Sequence, residues 1–188
     1  MTAHALFGIA AGVLSIWAYP IYIADILRGN TKPSRITWWV LTLSNSMIAI
    51  SYFASGARDT IWIPVSYSVG FFVIALFSVK YGEGGWSRLD IFSVSGVVAS
   101  ALLWYVFNSP EIALLAVVLV EFFGLVPTIA KTYRQPSSES RLAWTIATVA
   151  SLLNIFAIES WTIAVATYPF YVFITNGLVA YLSSRNRV

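Results

Sequence analysis

One short pattern of basic, hydroxyl and tryptophan residues occurs twice in this chain of 188 residues, 106 positions apart. Each copy follows a long apolar segment that carries a proline, Pro20 in the first case and Pro127 in the second. A repeat of this length in an apolar chain predicts a protein built from two similar halves. The matched pairs are Arg28 and Arg134, Ser34 and Ser140, Arg35 and Arg141, Trp38 and Trp144, and Thr42 and Thr148.

The composition indicates that the two halves lie in a membrane. Hydrophobic residues make up 59% of the chain, charged residues 10%, and the mean hydropathy is +0.78. A soluble domain carries about 25% charged residues, so this chain has too little charge to cover a solvated surface. The basic residues are scattered through short loops, which excludes a nucleic-acid interface. Since the chain has no cysteine, it has no disulfide and no thiolate nucleophile.

Seven apolar stretches approach the roughly 20 residues that a membrane-spanning helix needs. Continuous apolar runs predict helices, since a barrel strand would alternate apolar and polar residues. The first run lacks a basic segment before it, so we expect it to be retained as a span. The predicted spans are Ala5–Leu27, Ile36–Ala54, Thr60–Val79, Leu89–Phe107, Glu111–Ala130, Leu142–Ile158 and Trp161–Leu182.

Combining the repeat with the seven spans predicts an all-α membrane protein in a 3+1+3 arrangement. The first three-helix repeat covers residues 5–79, a linker helix covers 89–107, and the second repeat covers 111–182. Three spans reverse the direction of the chain, and the linker helix reverses it again. The two three-helix bundles are therefore expected to be parallel repeats.

The positions of the basic residues predict the orientation. All Lys and Arg residues except Arg58 fall in or beside loops 1–2, 3–4 and 5–6 or in the C-terminal tail. The positive-inside rule then places the N-terminus outside and the C-terminus in the cytoplasm. Short loops and the small size favour a prokaryotic inner membrane.

The seven-helix plan resembles the SWEET and PQ-loop superfamily of small transporters. In PQ-loop proteins a Pro-Gln pair in helices 1 and 5 lets these helices bend during alternating access. Pro20 and Pro127 correspond to those prolines, and Ile21 and Thr128 replace the glutamines. The resemblance implies a transporter that moves a small polar metabolite.

Two further features bear on the class of solute. In sugar-carrying members an Asn in helix 3 and another in helix 7 line the site. Asn176 is similar in position to the second, whereas residues 66–70 contain no Asn. The second helix, with Trp38, Trp39 and Asn45, is also similar to the PnuC vitamin transporters, which share the 3+1+3 plan. These resemblances imply a sugar-like or vitamin-like solute.

Glu121 is the residue that most directly suggests chemistry, because it lies near the middle of the fifth span. A carboxylate at mid-bilayer costs several kcal/mol unless it is paired, protonated or in a wet cavity. It is therefore predicted to bind protons during transport or to contact a polar or cationic group. The alternative is a protonated Glu that only contributes to packing.

Polar side chains in four other spans predict a substrate pocket together with Glu121. Amide and phenol groups can bond a small solute while aromatic rings stack on it. For each residue the alternative is an interhelical hydrogen bond. The predicted substrate-binding residues are Asn45, Tyr67, Glu121, Asn154, Tyr171 and Asn176.

A gate and a hinge are predicted near the basic ends of the first and fifth spans. Asp25 and Lys131 occupy equivalent repeat positions, so we hypothesise a salt bridge between them. The alternative pairs Asp25 with Arg28 and leaves Lys131 extended to the surface. Pro20 and Pro127 each remove a helix hydrogen bond and are predicted hinges, with static bends as the alternative.

Several other residues have structural interpretations. Trp38 and Trp144 are expected to anchor the helices at the lipid interface, with stacking on the substrate as the alternative. Arg35 and Arg141 are expected to meet lipid headgroups, with substrate contact as the alternative. Gly8 and Gly12 form a small-xxx-small motif, which predicts either close helix approach or a dimer face.

The sequence thus predicts a carrier for a small polar solute, either proton-coupled or a uniporter, with lipids as its surroundings. An enzyme is not expected, because His4 is the lone His and no cluster resembles a metal or nucleophile site. No cofactor is expected. A retinal protein is excluded, since the last span has no lysine. The alternative function is a seven-helix receptor of the KDEL-receptor type.

Overall fold

The computed structural model describes residues 2–84, 88–107 and 109–185. The described chain is all-helical, with one short 3-10 turn at Pro136–Ser138 and an isolated bridge between Ser34 and Glu83. A helix lies at each of the seven predicted stretches. The helices are α1 (Ala3–Leu27), α2 (Arg35–Ala54), α3 (Trp62–Tyr81), α4 (Arg88–Phe107), α5 (Pro110–Arg134), α6 (Arg141–Ile155) and α7 (Ile163–Ser184).

Membrane-spanning character is clearest in four helices. The segments long and apolar enough to cross a bilayer are α1, α3, α7 and the part of α5 from Leu114 onward. Helix α6 is apolar but has only 15 residues. Large apolar side chains cover the outside of the bundle, for example Trp17 at 65% exposure and Ile163 at 78%. Such a surface is compatible with lipid as the solvent. That all seven helices cross the membrane stays a prediction.

The helices pack in the same order in both halves of the chain. Helix α3 packs against both α1 and α2, and α7 packs against both α5 and α6. The two groups meet where α1 packs on α6 and where α2 packs on α5. Helix α4 lies mainly against α5. An interface between the two three-helix groups therefore runs through the middle of the molecule.

The three basic loops lie together at one end, as the sequence predicted. The backbone N–H of Arg35 donates to the Glu83 carbonyl at 3.1 Å, and that of Glu83 donates to the Pro33 carbonyl at 3.0 Å. The Lys131 ammonium donates to the Lys32 carbonyl at 2.8 Å. We call this the basic end. Its orientation relative to a membrane stays a prediction.

Arg35 has a structural role that the sequence analysis did not anticipate. Its guanidinium donates to the last-turn carbonyls of α3, Nε to Ser78 at 3.3 Å and Nη2 to Val79 at 3.0 Å. The final carbonyls of a helix have no partner within it, so these bonds cap α3. That Arg35 also meets lipid headgroups stays a prediction.

The small-xxx-small motif of α1 does bring segments close together. A Cβ on Gly8 would lie 1.9 Å from the Asp59 carbonyl oxygen, and one on Gly12 would lie 2.9 Å from the Cβ of Trp62. Only glycine leaves room for the α2–α3 loop and the start of α3 to pack this closely on α1. Close approach within the chain, one of the two predicted uses of the motif, is confirmed.

This contact yields a prediction about stability. Gly8→Val should lower the free energy of unfolding by about 1–3 kcal/mol, the usual cost of overpacking. Thermal unfolding of the purified protein in detergent measures the effect. The matched control is Ala10→Val, because Ala10 is exposed on the same helix. Equal melting temperatures for the two variants would contradict the close approach.

Candidate functional site

Two small adjoining cavities lie between the halves. Four residues line both of them, namely Tyr67, Phe71, Trp144 and Asn176. We treat the pair as one central cavity. The remaining lining residues are Ser15, Ala18, Tyr19, Tyr22, Trp38, Leu41, Ile74, Glu121, Leu125, Ala143, Ala147, Tyr171, Val172 and Thr175.

Aromatic rings form a continuous wall of this cavity. Centroid distances are 5.0 Å between Tyr22 and Trp38, 5.0 Å between Trp38 and Phe71, and 4.6 Å between Phe71 and Tyr67. Trp144 adds a ring from the other half of the chain. These spacings are those of aromatic pairs that interact in protein cores.

The two repeated tryptophans lie inside the bundle. Trp38 is 5% exposed and Trp144 is 7% exposed, and both line the central cavity. The expectation that they anchor the protein at the lipid interface is therefore wrong. In both halves the tryptophan side chain is on the face that meets the other half. The sequence supplied the pairing of the residues but not the direction in which they point.

Glu121 lies at the interface between α2 and α5 in a chain of hydrogen bonds. The side-chain amide of Asn45 donates to Glu121 Oε1 and also to the Leu41 carbonyl, the latter at 2.8 Å. The Tyr168 hydroxyl donates to Asn45 Oδ1. Glu121 is buried, and its Oε2 atom has no hydrogen-bond partner among the described residues. Within the described part of the chain, one oxygen of the carboxyl group is held by Asn45 and the other is unpaired.

A second polar pair lies across the same cavity. Asn176 Nδ2 donates to the Tyr67 hydroxyl at 2.8 Å and to the Ala147 carbonyl at 3.4 Å. Tyr171 lines the cavity beside Glu121. Asn45 lies just behind Glu121 and positions it. Five of the six predicted substrate-binding residues are thus brought together.

Asn154 is the predicted residue that lies apart from the group. It is the penultimate residue of α6, fully buried, and does not line the cavity. Neither polar atom of its side chain has a hydrogen-bond partner. Its burial in the chain was predictable, but its distance from the other polar groups was not.

At the basic end a single carboxylate joins three helices. Glu139 follows the short 3-10 turn between α5 and α6, and its side chain is 1% exposed. Glu139 Oε2 accepts from the Tyr22 hydroxyl at 2.8 Å and from the Trp144 Nε1–H at 3.0 Å. Glu139 Oε1 lies 2.8 Å from the Lys131 ammonium. We call these four residues the Glu139 cluster.

The predicted salt bridge between Asp25 and Lys131 is not formed. Lys131 pairs with Glu139 and lies 3.8 Å from Glu83, while Asp25 accepts from the Ser140 hydroxyl. The alternative also fails, because Lys131 is held within the bundle instead of extending to the surface. The sequence analysis counted only the basic residues of the α5–α6 loop and so overlooked Glu139.

The cluster separates the central cavity from an open polar depression. Tyr22 and Trp144 line the central cavity. Their partner Glu139 lines an open depression at the basic end, together with Asp25 and Arg141. Glu139 therefore lies between the cavity and the surface.

The halves also touch at the opposite end. His4 Nδ1 lies 3.1 Å from the Phe156 carbonyl, and the Asp59 N–H donates to Glu159 at 3.2 Å.

Helices α1 and α5 continue through Pro20 and Pro127. Pro169, which the sequence analysis passed over, lies inside α7 in the same way. The hinge role of the first two prolines stays a prediction.

No metal site is formed by the described residues, since they contain no group of three His, Asp or Glu side chains suited to one. Comparison of the chain with protein families, curated proteins and solved structures gives no match.

The Glu139 cluster generates a second prediction. Glu139→Gln keeps the shape of the side chain but removes the charge opposite Lys131. Hydrogen bonds to charged groups contribute about 1.5–3 kcal/mol, so the free energy of unfolding should fall by that order. Thermal or denaturant unfolding in detergent measures it. Glu83→Gln is the matched control, because Glu83 is half-exposed and more distant from Lys131; its effect should stay below about 1 kcal/mol.

A double-mutant cycle identifies the partner of Lys131. Lys131→Met should show coupling with Glu139→Gln and none with Asp25→Asn. Coupling of Lys131 to Asp25 alone would support the predicted salt bridge between these two residues and contradict the pairing of Lys131 with Glu139.

Proposed function

We propose that this chain is a seven-helix membrane carrier that moves a small polar solute by alternating access. The observation that carries the proposal is the central cavity between the two halves, lined by aromatic rings and by Glu121, Tyr67 and Asn176. Binding sites of transporters with internal repeats lie at the interface of the repeats, near the middle of the membrane. Glu121 is eleven residues from the start of α5 and thirteen from its end.

The matching packing of the halves supports a rocking mechanism. If helices 1, 2 and 3 are exchanged with helices 5, 6 and 7, the contact of α1 with α6 becomes the contact of α5 with α2. Both contacts are present. This is the pattern expected of parallel repeats in a 3+1+3 arrangement, as in SWEET and PQ-loop transporters. Each half can then move as a unit about the shared interface.

The Glu139 cluster is the proposed gate at the basic end, which faces the cytoplasm in the predicted orientation. Tyr22 belongs to the first half, whereas Glu139, Lys131 and Trp144 belong to the second. Separating the halves at this end breaks the bond between Tyr22 and Glu139 and the bond between Asp25 and Ser140. With both ends in contact, the described arrangement corresponds to a closed intermediate of the transport cycle.

Labelling of a cysteine in the cavity tests the proposal without knowledge of the solute. The chain has no native cysteine, so a single introduced thiol gives no background. Ala147→Cys places the thiol in the cavity. In proteoliposomes of known orientation, a membrane-impermeant maleimide should label it from either side. Val149→Cys is the control on the same helix, since its exposed side chain should face lipid and stay unlabelled.

An engineered lock makes the test specific for alternating access. Asp25→Cys with Ser140→Cys joins the two halves at the basic end, where these side chains are in contact. Oxidation should stop labelling of Ala147→Cys from that side and leave labelling from the other side. The matched control is Thr2→Cys with Asp59→Cys, because these two side chains are 3.3 Å apart within one half. Oxidation of this pair should leave labelling of Ala147→Cys from both sides of the membrane unchanged.

The alternative function, a receptor of the KDEL-receptor type, makes a different prediction in the same assay. A receptor needs to expose its site to one side only. Labelling of Ala147→Cys from a single side under all conditions would contradict the carrier and favour the receptor.

A further inference from the structure

We infer that the central cavity binds a small organic cation. The inference rests on the proposed function and names the class of solute that the carrier takes. It starts from the position of Glu121 among the charged residues. Every other Asp, Glu, Lys and Arg in the seven helices lies within three residues of a helix end. Glu121 therefore stands alone at the centre of the bundle.

The protein gives the Glu121 carboxyl group only part of what a buried carboxylate needs. Oε1 accepts from the amide of Asn45, whose other bonds go to Leu41 and Tyr168. Oε2 has no hydrogen-bond partner in the part of the chain that the structure describes, although the residue is only 3% exposed. Leaving a buried acceptor unpaired costs about 1–3 kcal/mol, and more when the group is charged. A cationic occupant of the cavity would supply the missing partner.

No basic side chain on the described part of α5 is free to do this. Lys131 lies ten residues along α5 from Glu121, nearly three helical turns away. It is held by Glu139 and by the Lys32 carbonyl. The carboxylate therefore has no countercharge from its own helix.

The walls of the cavity favour a cation over an anion or a sugar. Tyr67, Phe71 and Trp144 present rings to the same space as Glu121. The face of an aromatic ring attracts a positive charge within about 6 Å. An anion would meet the carboxylate and these ring faces unfavourably. A sugar would need many polar partners, and the amide donor of Asn176 is already used by Tyr67 and Ala147.

Matched pairs of probes separate charge from shape. Choline is compared with 3,3-dimethylbutan-1-ol, its neutral carbon isostere, and 1-methylnicotinamide is compared with nicotinamide. Binding to the purified full chain is measured by isothermal titration and by the rise in melting temperature, since a ligand stabilises the folded state by mass action. The cations should bind at least about tenfold more tightly than their neutral partners, a difference of about 1.4 kcal/mol.

Variants assign the preference to the cavity. Glu121→Gln should remove the advantage of the cation over its isostere. Glu111→Gln, on the same helix but exposed at its start, should retain it. If Glu121→Gln does not fold, Tyr171→Leu provides the second variant, because it removes a ring from the cavity and leaves the carboxylate. It should weaken cation binding several-fold more than binding of the neutral partner.

Three results would overturn the inference: no binding of either cation, equal binding of cation and isostere, or an unchanged preference in Glu121→Gln. The carrier proposal is judged separately by labelling of Ala147→Cys. Labelling from both sides without cation binding would retain the carrier and reject the cation. Cation binding with labelling from one side only would retain the site and reject the carrier.

Discussion

The structure depends on how polar side chains are satisfied between two halves whose outer surfaces are apolar. Within the bundle, a buried donor or acceptor is paired at low cost only by another protein group, because no water reaches it and an apolar surrounding offers no hydrogen bond. Glu139 meets this requirement for Tyr22, Trp144 and Lys131 at once. The same carboxylate therefore fixes α1 against α6 and sets where the central cavity ends.

The repeat gives the two halves similar backbones but different chemistry at the interface. In the 106-residue frame Glu121 corresponds to Ser15. Ser15 bonds Ser66 at 2.5 Å within its own half, whereas Glu121 bonds Asn45 across the interface. One half therefore makes a neutral local contact where the other presents a carboxyl group. The symmetric framework therefore holds an asymmetric cavity.

The number and approximate positions of the helices could be predicted from the sequence, because long apolar runs and the repeat restrict where helices begin and end. Glu121 was identifiable because a mid-helix carboxylate is costly, and its neighbours followed from polar residues in other spans. The direction of a side chain was not predictable, as the buried Trp38 and Trp144 show. The partner of Lys131 was missed because it depends on how the α5–α6 loop folds back, which brings Glu139 inward.

The strength of these contacts fits an interface that opens and closes. An interhelical hydrogen bond in a membrane contributes about 0.6 kcal/mol on average, and a bond to a charged group about 1.5–3 kcal/mol. Among the described residues, the side-chain bonds between the halves at the basic end run from Tyr22 to Glu139, from Ser140 to Asp25 and from Lys131 to the Lys32 carbonyl. At about 1.5–3 kcal/mol each, their sum is of the same order as the roughly 5.5 kcal/mol that moves an equilibrium from 1:99 to 99:1. A ligand shifts such an equilibrium only by the difference between its affinities for the two arrangements, so a solute in the cavity would open this end only if it bound the open arrangement more tightly than the closed one.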